Sequence, residues 1–189
     1  MGACRMKLLV DGFQDQTTDT GEVEIGYSVG PDNGPQLLLL HGVTSRRDGF
    51  VRVIDKLMPS YRIITMDQRG HGFSGHVPGA YGRADHARDI RHVLAATNCH
   101  HVVPVGTSLG AMLTMGMGAA MPTMLAGAIL NDAGPELDPS GIARILDYVG
   151  DETAYDDWDA ATARVEKELL ILTGAKIVAR SSRAASVVP

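Results

Sequence analysis

Short apolar segments alternate with helical patterns along most of this chain. Over residues 22–29, apolar positions alternate with polar ones (EVEIGYSV), which is the period of two expected for a strand with one buried face. A continuous apolar block at residues 37–40 predicts a strand that is covered on both faces. The intervening PDNGP is rich in turn-forming residues, so it predicts that the second strand returns antiparallel to the first as a hairpin.

The alternation continues down the chain. Further apolar strands are predicted over residues 61–66, 101–105 and 125–130. Helical spacing of apolar residues predicts helices over residues 50–58, 85–96, 109–121, 140–149 and 158–170. Helices that alternate with short apolar strands are typical of an α/β protein. We therefore expect a mostly parallel sheet with helices on both faces.

Composition narrows the class of protein further. The 189 residues are 44% apolar and 21% charged, as in ordinary globular domains, and the formal net charge is −5. Because the sequence has no basic cluster, we expect no nucleic-acid partner. No apolar run approaches the roughly 18 residues of a membrane span, and the N-terminal run is too short for a secretory signal. Cys4 and Cys99 show neither metal-ligand nor redox spacing, so we expect reduced thiols in a cytoplasmic protein.

The sharpest chemical motif is Gly106-Thr107-Ser108-Leu109-Gly110, which lies between a predicted strand and a predicted helix. The G-x-S-x-G pattern in this context predicts a nucleophile elbow, a sharp turn that projects the serine hydroxyl above the sheet. Gly106 and Gly110 let neighbouring backbone approach the turn, and the helix N-terminus stabilises a developing oxyanion. We therefore expect Ser108 to be a catalytic nucleophile; a glycine-rich turn with an incidental serine is the alternative.

A second motif, His41-Gly42-Val43, follows the predicted strand at residues 37–40. In sites with a nucleophile elbow, a backbone N–H from the loop after this strand forms half of the oxyanion hole. We assign this donor to Val43 and the second donor to the N–H of Leu109. We expect His41 to hold the loop by hydrogen bonds rather than to act as a base, because a base must first have the right geometry.

A third motif, DQRGHGFS at residues 67–74, follows the predicted strand at residues 61–66. Its two glycines suggest a phosphate-binding loop. However, no Lys-Ser/Thr pair follows them, and the G-x-G-x-x-G spacing is missing, so a dinucleotide site is a weak interpretation. A turn held by Asp67, Arg69 and His71 is the better account of this motif.

Together these motifs resemble the α/β-hydrolase superfamily. The resemblance is carried, in chain order, by LLLLHG (37–42), DQRGHGFSG (67–75), YGRADHARDI (81–90), VGTSLG (105–110) and ILNDAGPEL (129–137). It covers roughly residues 22–149 and is strongest with the branch that hydrolyses ester and C–C bonds. The resemblance implies a serine nucleophile, a histidine base, an Asp or Glu that orients the histidine, and neither a cofactor nor a metal.

The base is missing from its expected place. Triad order in this fold is Ser, then Asp or Glu, then His, yet all seven histidines precede Ser108. Asp132, just after the predicted strand at residues 125–130, is a candidate acid, although a residue that caps the following turn is the simpler interpretation. Residues 151–168 contain seven acidic residues and residues 169–189 contain none. This shift in composition suggests a truncated or frame-altered C-terminus.

The sequence thus predicts a partial α/β-hydrolase fold that is incomplete at its C-terminal end. We expect a core with the elbow at residues 1–135, the start of a helical cap at 136–172 and an irregular tail at 173–189. The predicted function is hydrolysis of a small ester, lactone or related carbonyl substrate through Ser108. A catalytically inactive homologue is the alternative, since no histidine follows Ser108. The expected partner is a small-molecule substrate, and an exposed sheet edge would allow self-association.

Overall fold

The residues described by a computed structural model of the chain are Leu8, 10–149, Asp157 and 159–164. The chain divides into two compact units, residues 1–143 and 144–189. The sheet and the residues around Ser108 belong to the first unit. In the second unit, residues 159–164 are helical, within the predicted helix at 158–170. Residue 158, residues 165–170 and the predicted tail at 173–189 lie outside the described residues.

A six-stranded mixed sheet forms the centre of the first unit, in the order β1-β2-β4-β3-β5-β6. The strands are β1 (Gln14–Asp19), β2 (Glu24–Val29), β3 (Gln36–Leu40), β4 (Arg62–Met66), β5 (Val102–Thr107) and β6 (Ile129–Asn131). Strand β2 pairs antiparallel with β1 and with β4, and the pairs from β4 through β3 and β5 to β6 are parallel. The carboxyl ends of the four parallel strands therefore meet at one edge, where a functional site is expected.

In the described part of the chain up to residue 149, four α-helices connect or follow the strands. They are α1 (Val51–Leu57), α2 (Arg83–Ala96), α3 (Leu109–Ala120) and α4 (Pro139–Val149), with short 3₁₀ turns at Arg47–Phe50 and Pro122–Met124. Each of the four corresponds to a helix predicted from apolar spacing. The limits differ by at most two residues, as is usual where helix ends fray.

Both faces of the central strand β3 are buried, as its unbroken leucines predict. Leu38 and Leu40 pack in a cluster with side chains of α2 and α3. Leu37 and Leu39 face the opposite side and pack with Ile54 of α1. Successive residues of a strand point to opposite faces, so a strand between two helical layers must be apolar throughout. The predicted fold class, a mostly parallel α/β sheet with helices on both faces, is confirmed.

The predicted hairpin between β2 and β3 is wrong. The two strands do run in opposite directions, but β4 lies between them and supplies the pairing partner of each. A turn sequence can reverse the chain without making its two flanking strands neighbours. Here the parallel crossover through α1 inserts β4 into that position.

Strand β1 is absent from the sequence prediction, which began at residue 22. Its sequence, QDQTTD, contains no apolar residue, so it carries no hydrophobic period. The strand forms because it pairs with β2 along its whole length, from Gln14 opposite Val29 to Asp19 opposite Glu24. It lies at the edge of the sheet, where polar side chains discourage pairing with another chain.

The predicted strand at residues 125–130 is correct only at its end. Leu125 makes one isolated bridge to Val102, and a regular ladder begins at Ile129. The three-residue β6 lies at the other edge of the sheet, and Ile129 and Leu130 are exposed there. Self-association through this edge stays a prediction, as do the domain limits at residues 135 and 172. None of the helices in the described parts of the chain has the length and apolarity to cross a membrane.

Candidate active site

Ser108 occupies the sharp turn between β5 and α3. Its φ of 52° and ψ of −113° lie outside the regions that residues with a side chain prefer. A non-glycine residue held in such a conformation costs about 1–3 kcal/mol and persists only where the surroundings impose it. Hydrogen bonds surround the turn: the Ser108 N–H donates to Asn131 O at 2.9 Å, and the Ser108 carbonyl accepts from Ala111 N at 2.9 Å and Met112 N at 3.1 Å. The geometry is that of the strand–turn–helix elbow expected from the motif.

The two glycines of the motif sit where no side chain fits. A Cβ on Gly106 would lie 2.2 Å from the carbonyl oxygen of Gly110, and a Cβ on Gly110 would lie 2.0 Å from that of Leu40. Both clashes are with backbone, which cannot rotate away as a side chain can. The first turn of α3 therefore packs directly on the ends of β3 and β5, and this close approach fixes the height of Ser108 above the sheet.

The β3 loop (residues 41–46) lies beside Ser108. A Cβ on Gly42 would be 3.4 Å from Ser108 Cβ and 3.9 Å from Ser108 Oγ, so the loop backbone and the hydroxyl are neighbours. Leu109 is the first residue of α3, where N–H groups have no partner within the helix. Within the described residues, neither the Val43 N–H nor the Leu109 N–H donates a hydrogen bond. These two N–H groups belong to the residues that directly follow Gly42 and Ser108, the two residues in contact here.

His41 is buried and both of its ring nitrogens are engaged. Nε2 accepts from the Gln68 N–H at 3.0 Å, so the proton belongs to Nδ1, which donates to Gly42 O at 2.8 Å. Burial lowers the pKa of His41, which favours this neutral tautomer. The ring has no lone pair left for a proton from Ser108. The geometry is therefore that of a residue that holds the loop and not that of a base.

The β4 loop (residues 67–75) contacts the β3 loop through His71, and its Asp67 binds Arg47, the residue that follows the β3 loop. His71 Nε2 lies within hydrogen-bond distance of Val43 O, and Nδ1 lies 3.1 Å from Arg69 O. The buried Asp67 carboxylate accepts from Phe73 N at 3.0 Å and Arg47 N at 2.8 Å, and Arg47 Nη1 lies 3.1 Å from it. The two loops therefore form one hydrogen-bonded unit at the carboxyl edge of the sheet.

The glycines of the β4 loop serve this turn and not a phosphate. Gly72 has a φ of +52°, and a Cβ there would lie 2.4 Å from Asp67 Cγ. A carboxylate in that position would repel an anionic phosphate. Within the described residues, moreover, no group of three or more His, Cys, Asp or Glu side chains could hold a metal ion.

A buried ion pair anchors the β4 loop to α2. Arg69 and Asp89 are both fully buried and joined by two bonds, Nε to Oδ2 at 2.7 Å and Nη2 to Oδ1 at 2.8 Å. Arg69 also donates to Ala80 O at 2.6 Å and to Glu22 at 3.1 Å. The hydrogen bonds with Asp89 raise the pKa of Arg69 above its ordinary value, so the pair stays ionised. Arg69 thus holds the predicted turn by bonds to residues outside the β4 loop, on α2, at Ala80 and at Glu22.

Asp132 directly follows Asn131, the residue whose carbonyl accepts from the Ser108 N–H. It is exposed and has a φ of 58°, a conformation that Asp tolerates better than most residues. Among the described residues, no hydrogen bond or ion pair joins its carboxylate to Ser108 or to a histidine. The structure places Asp132 directly after β6, at the carboxyl edge of the parallel strands, without linking it to the serine.

Sequence reasoning missed Gln68 and Asn131. The Gln68 side chain donates to His41 O at 2.6 Å, and the Asn131 carbonyl receives the Ser108 N–H. A sequence carries no signal that tells which backbone carbonyl accepts a hydrogen bond, so the role of Asn131 could not be predicted. For Gln68 the only available signal was its position inside a motif that follows a central strand.

Comparisons with known proteins match this architecture. The 2-(acetamidomethylene)succinate hydrolase of Mesorhizobium japonicum is 28% identical over 132 residues, or 70% of this chain and 47% of that protein. The 3-hydroxybutyrate-oligomer hydrolase of Cupriavidus necator is 29% identical over 138 residues, or 72% of this chain and 47% of that protein. The chain thus spans about half the length of these curated relatives.

A solved structure gives the same result. The crystal structure of an alpha/beta hydrolase from Novosphingobium aromaticivorans superposes with a TM-score of 0.74 at 29% identity, covering 84% of this chain and 57% of that one. The sequence model of the alpha/beta hydrolase fold matches residues 35–183, which include the β3 loop, the β4 loop and the elbow. The chain belongs to the alpha/beta hydrolase fold family.

Proposed function

We propose that this chain carries the nucleophile and the oxyanion hole of a serine hydrolase that acts on a small ester, lactone or related carbonyl compound. The observation that carries the proposal is the backbone of Ser108, which is held at φ 52° and ψ −113° beside the β3 loop. A strained serine between a central strand and a helix has little structural value of its own. Such a conformation is typical of a hydroxyl that must project from the sheet.

The chemistry follows from the groups around that hydroxyl. Ser108 Oγ attacks the substrate carbonyl carbon, and the carbonyl oxygen becomes a tetrahedral oxyanion. The N–H groups of Val43 and Leu109 stabilise that charge; one such donor contributes about 10²–10³ in kcat in a well-studied hydrolase. Collapse of the intermediate expels the alcohol and leaves an acyl-serine, which water then hydrolyses.

Full activity also needs a base that accepts the Ser108 proton. All histidines of this sequence precede Ser108, and His41 and His71 are bonded to backbone groups of the two loops. In subtilisin, loss of the serine or histidine lowers kcat by about 10⁶, equivalent to about 8 kcal/mol of barrier. An oxyanion hole and binding alone still leave about 10³–10⁴ over water. We therefore expect slow reaction by this chain alone.

Labelling with an alkyl fluorophosphonate tests the proposal. Ser108 Oγ attacks the phosphorus, fluoride leaves, and intact mass spectrometry counts the adduct. We expect Ser108 to label faster than the exposed Ser60, and we expect the rate to rise with the concentration of added imidazole, which replaces the base. The variant Ser108→Ala should lose the adduct, whereas Ser60→Ala should keep it.

The second candidate is a catalytically inactive homologue that keeps the fold. The absence of a histidine after Ser108 in this sequence favours it. In that case the folded chain labels no faster than Ser108→Ala, with or without imidazole, and the serine hydrolase proposal is rejected.

Asp132 is the proposed acid, and Asp132→Asn should slow catalysis only in a preparation that also contains the base.

A further inference from the structure

The two peptide groups that flank Val43 are both held through their carbonyl oxygens. Gly42 O accepts from His41 Nδ1 at 2.8 Å and from the Ser45 N–H at 3.1 Å. Val43 O accepts a hydrogen bond from His71 Nε2. In a planar trans peptide the N–H points opposite to the C=O, so donors on Gly42 O fix the direction of the Val43 N–H.

His41 is in turn held by two hydrogen bonds from Gln68 of the β4 loop, and its ring contacts the His71 ring at a centroid distance of 5.1 Å. The Gln68 N–H donates to Nε2 of the ring at 3.0 Å, and the Gln68 side-chain Nε2 donates to the His41 carbonyl at 2.6 Å. The first bond selects the tautomer with hydrogen on Nδ1, which is the tautomer that can donate to Gly42 O. The second bond fixes the backbone from which the ring projects. Both His41 and Gln68 are buried, so water does not compete for these bonds.

We infer that Gln68 and His71 are positioning residues of the oxyanion hole, Gln68 acting through His41 and His71 through the Val43 carbonyl. The inference rests on the proposed function, because it concerns the donor assigned to Val43. A hydrogen bond accepted by a peptide carbonyl also polarises the N–H of the same peptide, and in such chains each bond strengthens the next. Gln68 thereby sets the direction and the donor strength of the Val43 N–H through His41 and Gly42 O, whereas His71 fixes the next peptide, Val43–Thr44, and with it the backbone position of Val43.

The Gln68 amide allows positioning to be separated from stability. Its Oε1 is buried without a hydrogen-bond partner among the described residues. Gln68→Met keeps the length of the side chain, removes the donor to His41 O and also removes the unsatisfied oxygen. Loss of the hydrogen bond lowers the stability of the fold, whereas removal of the unsatisfied buried oxygen raises it. Because the two effects oppose each other, the variant should remain folded.

Nuclear magnetic resonance of the ¹⁵N-labelled 189-residue chain tests the inference. In the wild type we expect the His41 imidazole signals of a protonated Nδ1 and an unprotonated Nε2. In Gln68→Met and in His71→Leu the Val43 amide signal should shift or broaden. His71→Gln, which can still donate to Val43 O, should restore the wild-type position, and the exposed His76→Leu is the matched control that should leave it unchanged.

A functional reading accompanies the spectra. With imidazole present, fluorophosphonate labelling of Ser108 should slow by up to about 10²-fold in Gln68→Met and His71→Leu, and should recover in His71→Gln. An Nε2-protonated His41, or a Val43 amide indifferent to both substitutions in folded protein, overturns the inference. If the Val43 amide responds but wild-type Ser108 never labels, the serine hydrolase proposal fails while the linkage between the two loops stands.

Discussion

Gly110→Ala adds a single methyl group at a position where the structure leaves no room for it. The added methyl group would lie 2.0 Å from Leu40 O, 2.6 Å from Leu40 C and 2.9 Å from Leu40 Cβ. Contacts below 3.0 Å force a shift, and here the obstacle is the backbone of a central strand. The start of α3 would have to move away from the sheet by about 1 Å, which the dense packing of a protein interior resists.

Gly116→Ala in the same helix gives a matched control. A Cβ on Gly116 meets nothing within 4 Å, so only helix propensity and chain entropy act there. Gly116→Ala should raise the free energy of unfolding by about 0.5–1 kcal/mol. At Gly110 the same gain in the free energy of unfolding is opposed by an overpacking cost of about 3 kcal/mol or more. The free energy of unfolding of Gly110→Ala should therefore fall by about 2–3 kcal/mol. The gap between the two variants should therefore be about 3 kcal/mol.

Urea unfolding followed by circular dichroism measures this gap. The two midpoints should move in opposite directions at an unchanged slope m, which shows that the surface exposed on unfolding has not changed. A gap below about 1 kcal/mol would show that α3 adjusts at little cost, contrary to the packing argument. The same variant, Gly110→Ala, should also label more slowly at Ser108, because the Leu109 N–H moves with the helix.

Three further predictions concern charge, strain and pH. Arg69→Met should lower the free energy of unfolding by about 3–5 kcal/mol, because it leaves Asp89 buried and unpaired, and addition of Asp89→Leu should recover most of the loss in a double-mutant cycle. Ser108→Gly should be about 1–2 kcal/mol more stable than Ser108→Ala, since glycine accepts a φ of 52° without strain; equal melting temperatures would contradict this. Burial lowers the pKa of His41 and His86, so the unfolded chain binds more protons than the folded one as the pH falls below about 6.5. Stability should decline through that range, and His86→Gln should flatten the decline; an unchanged slope would show that His86 does not contribute.

The elbow and the central strand were predictable because their signals are local. Residues 37–40 are apolar at every position, which only a doubly covered strand requires, and the structure buries all four leucines. The sequence at 106–110 combines a motif with its flanking strand and helix. Strand β1 and the position of β4 were not predictable in this way. The first depends on a ladder with β2, and the second depends on a crossover that no local turn sequence encodes.

The places of the candidate site residues in the fold were predictable, because they follow from the path of the chain. Residues after β3, β4, β5 and β6 had to meet at one sheet edge, and Val43, His71, Ser108 and Asp132 do follow those strands. The bonds between the loops could not be predicted, because they depend on side-chain rotamers and tautomers that only the packed structure selects. Asp132 illustrates the limit: its place after β6 was foreseen, whereas the direction of its carboxylate was not encoded in that place.

The atoms that hold Ser108 in its strained conformation are almost all backbone atoms of neighbouring strands. Asn131 O receives its N–H, Leu40 O limits the approach of α3, and Gly106 lies under the first helical turn. None of these contacts involves a catalytic acid or base. The elbow is therefore organised by the sheet, and the Val43 N–H by the bonds between the β3 and β4 loops, so neither needs the base in order to form. It follows that added imidazole should accelerate the labelling of Ser108 without changing the fold. The labelling rate should depend on the imidazole concentration in the wild type and not in Ser108→Ala. The difference between the two rates then measures what the preorganised turn and N–H donors contribute without a built-in base.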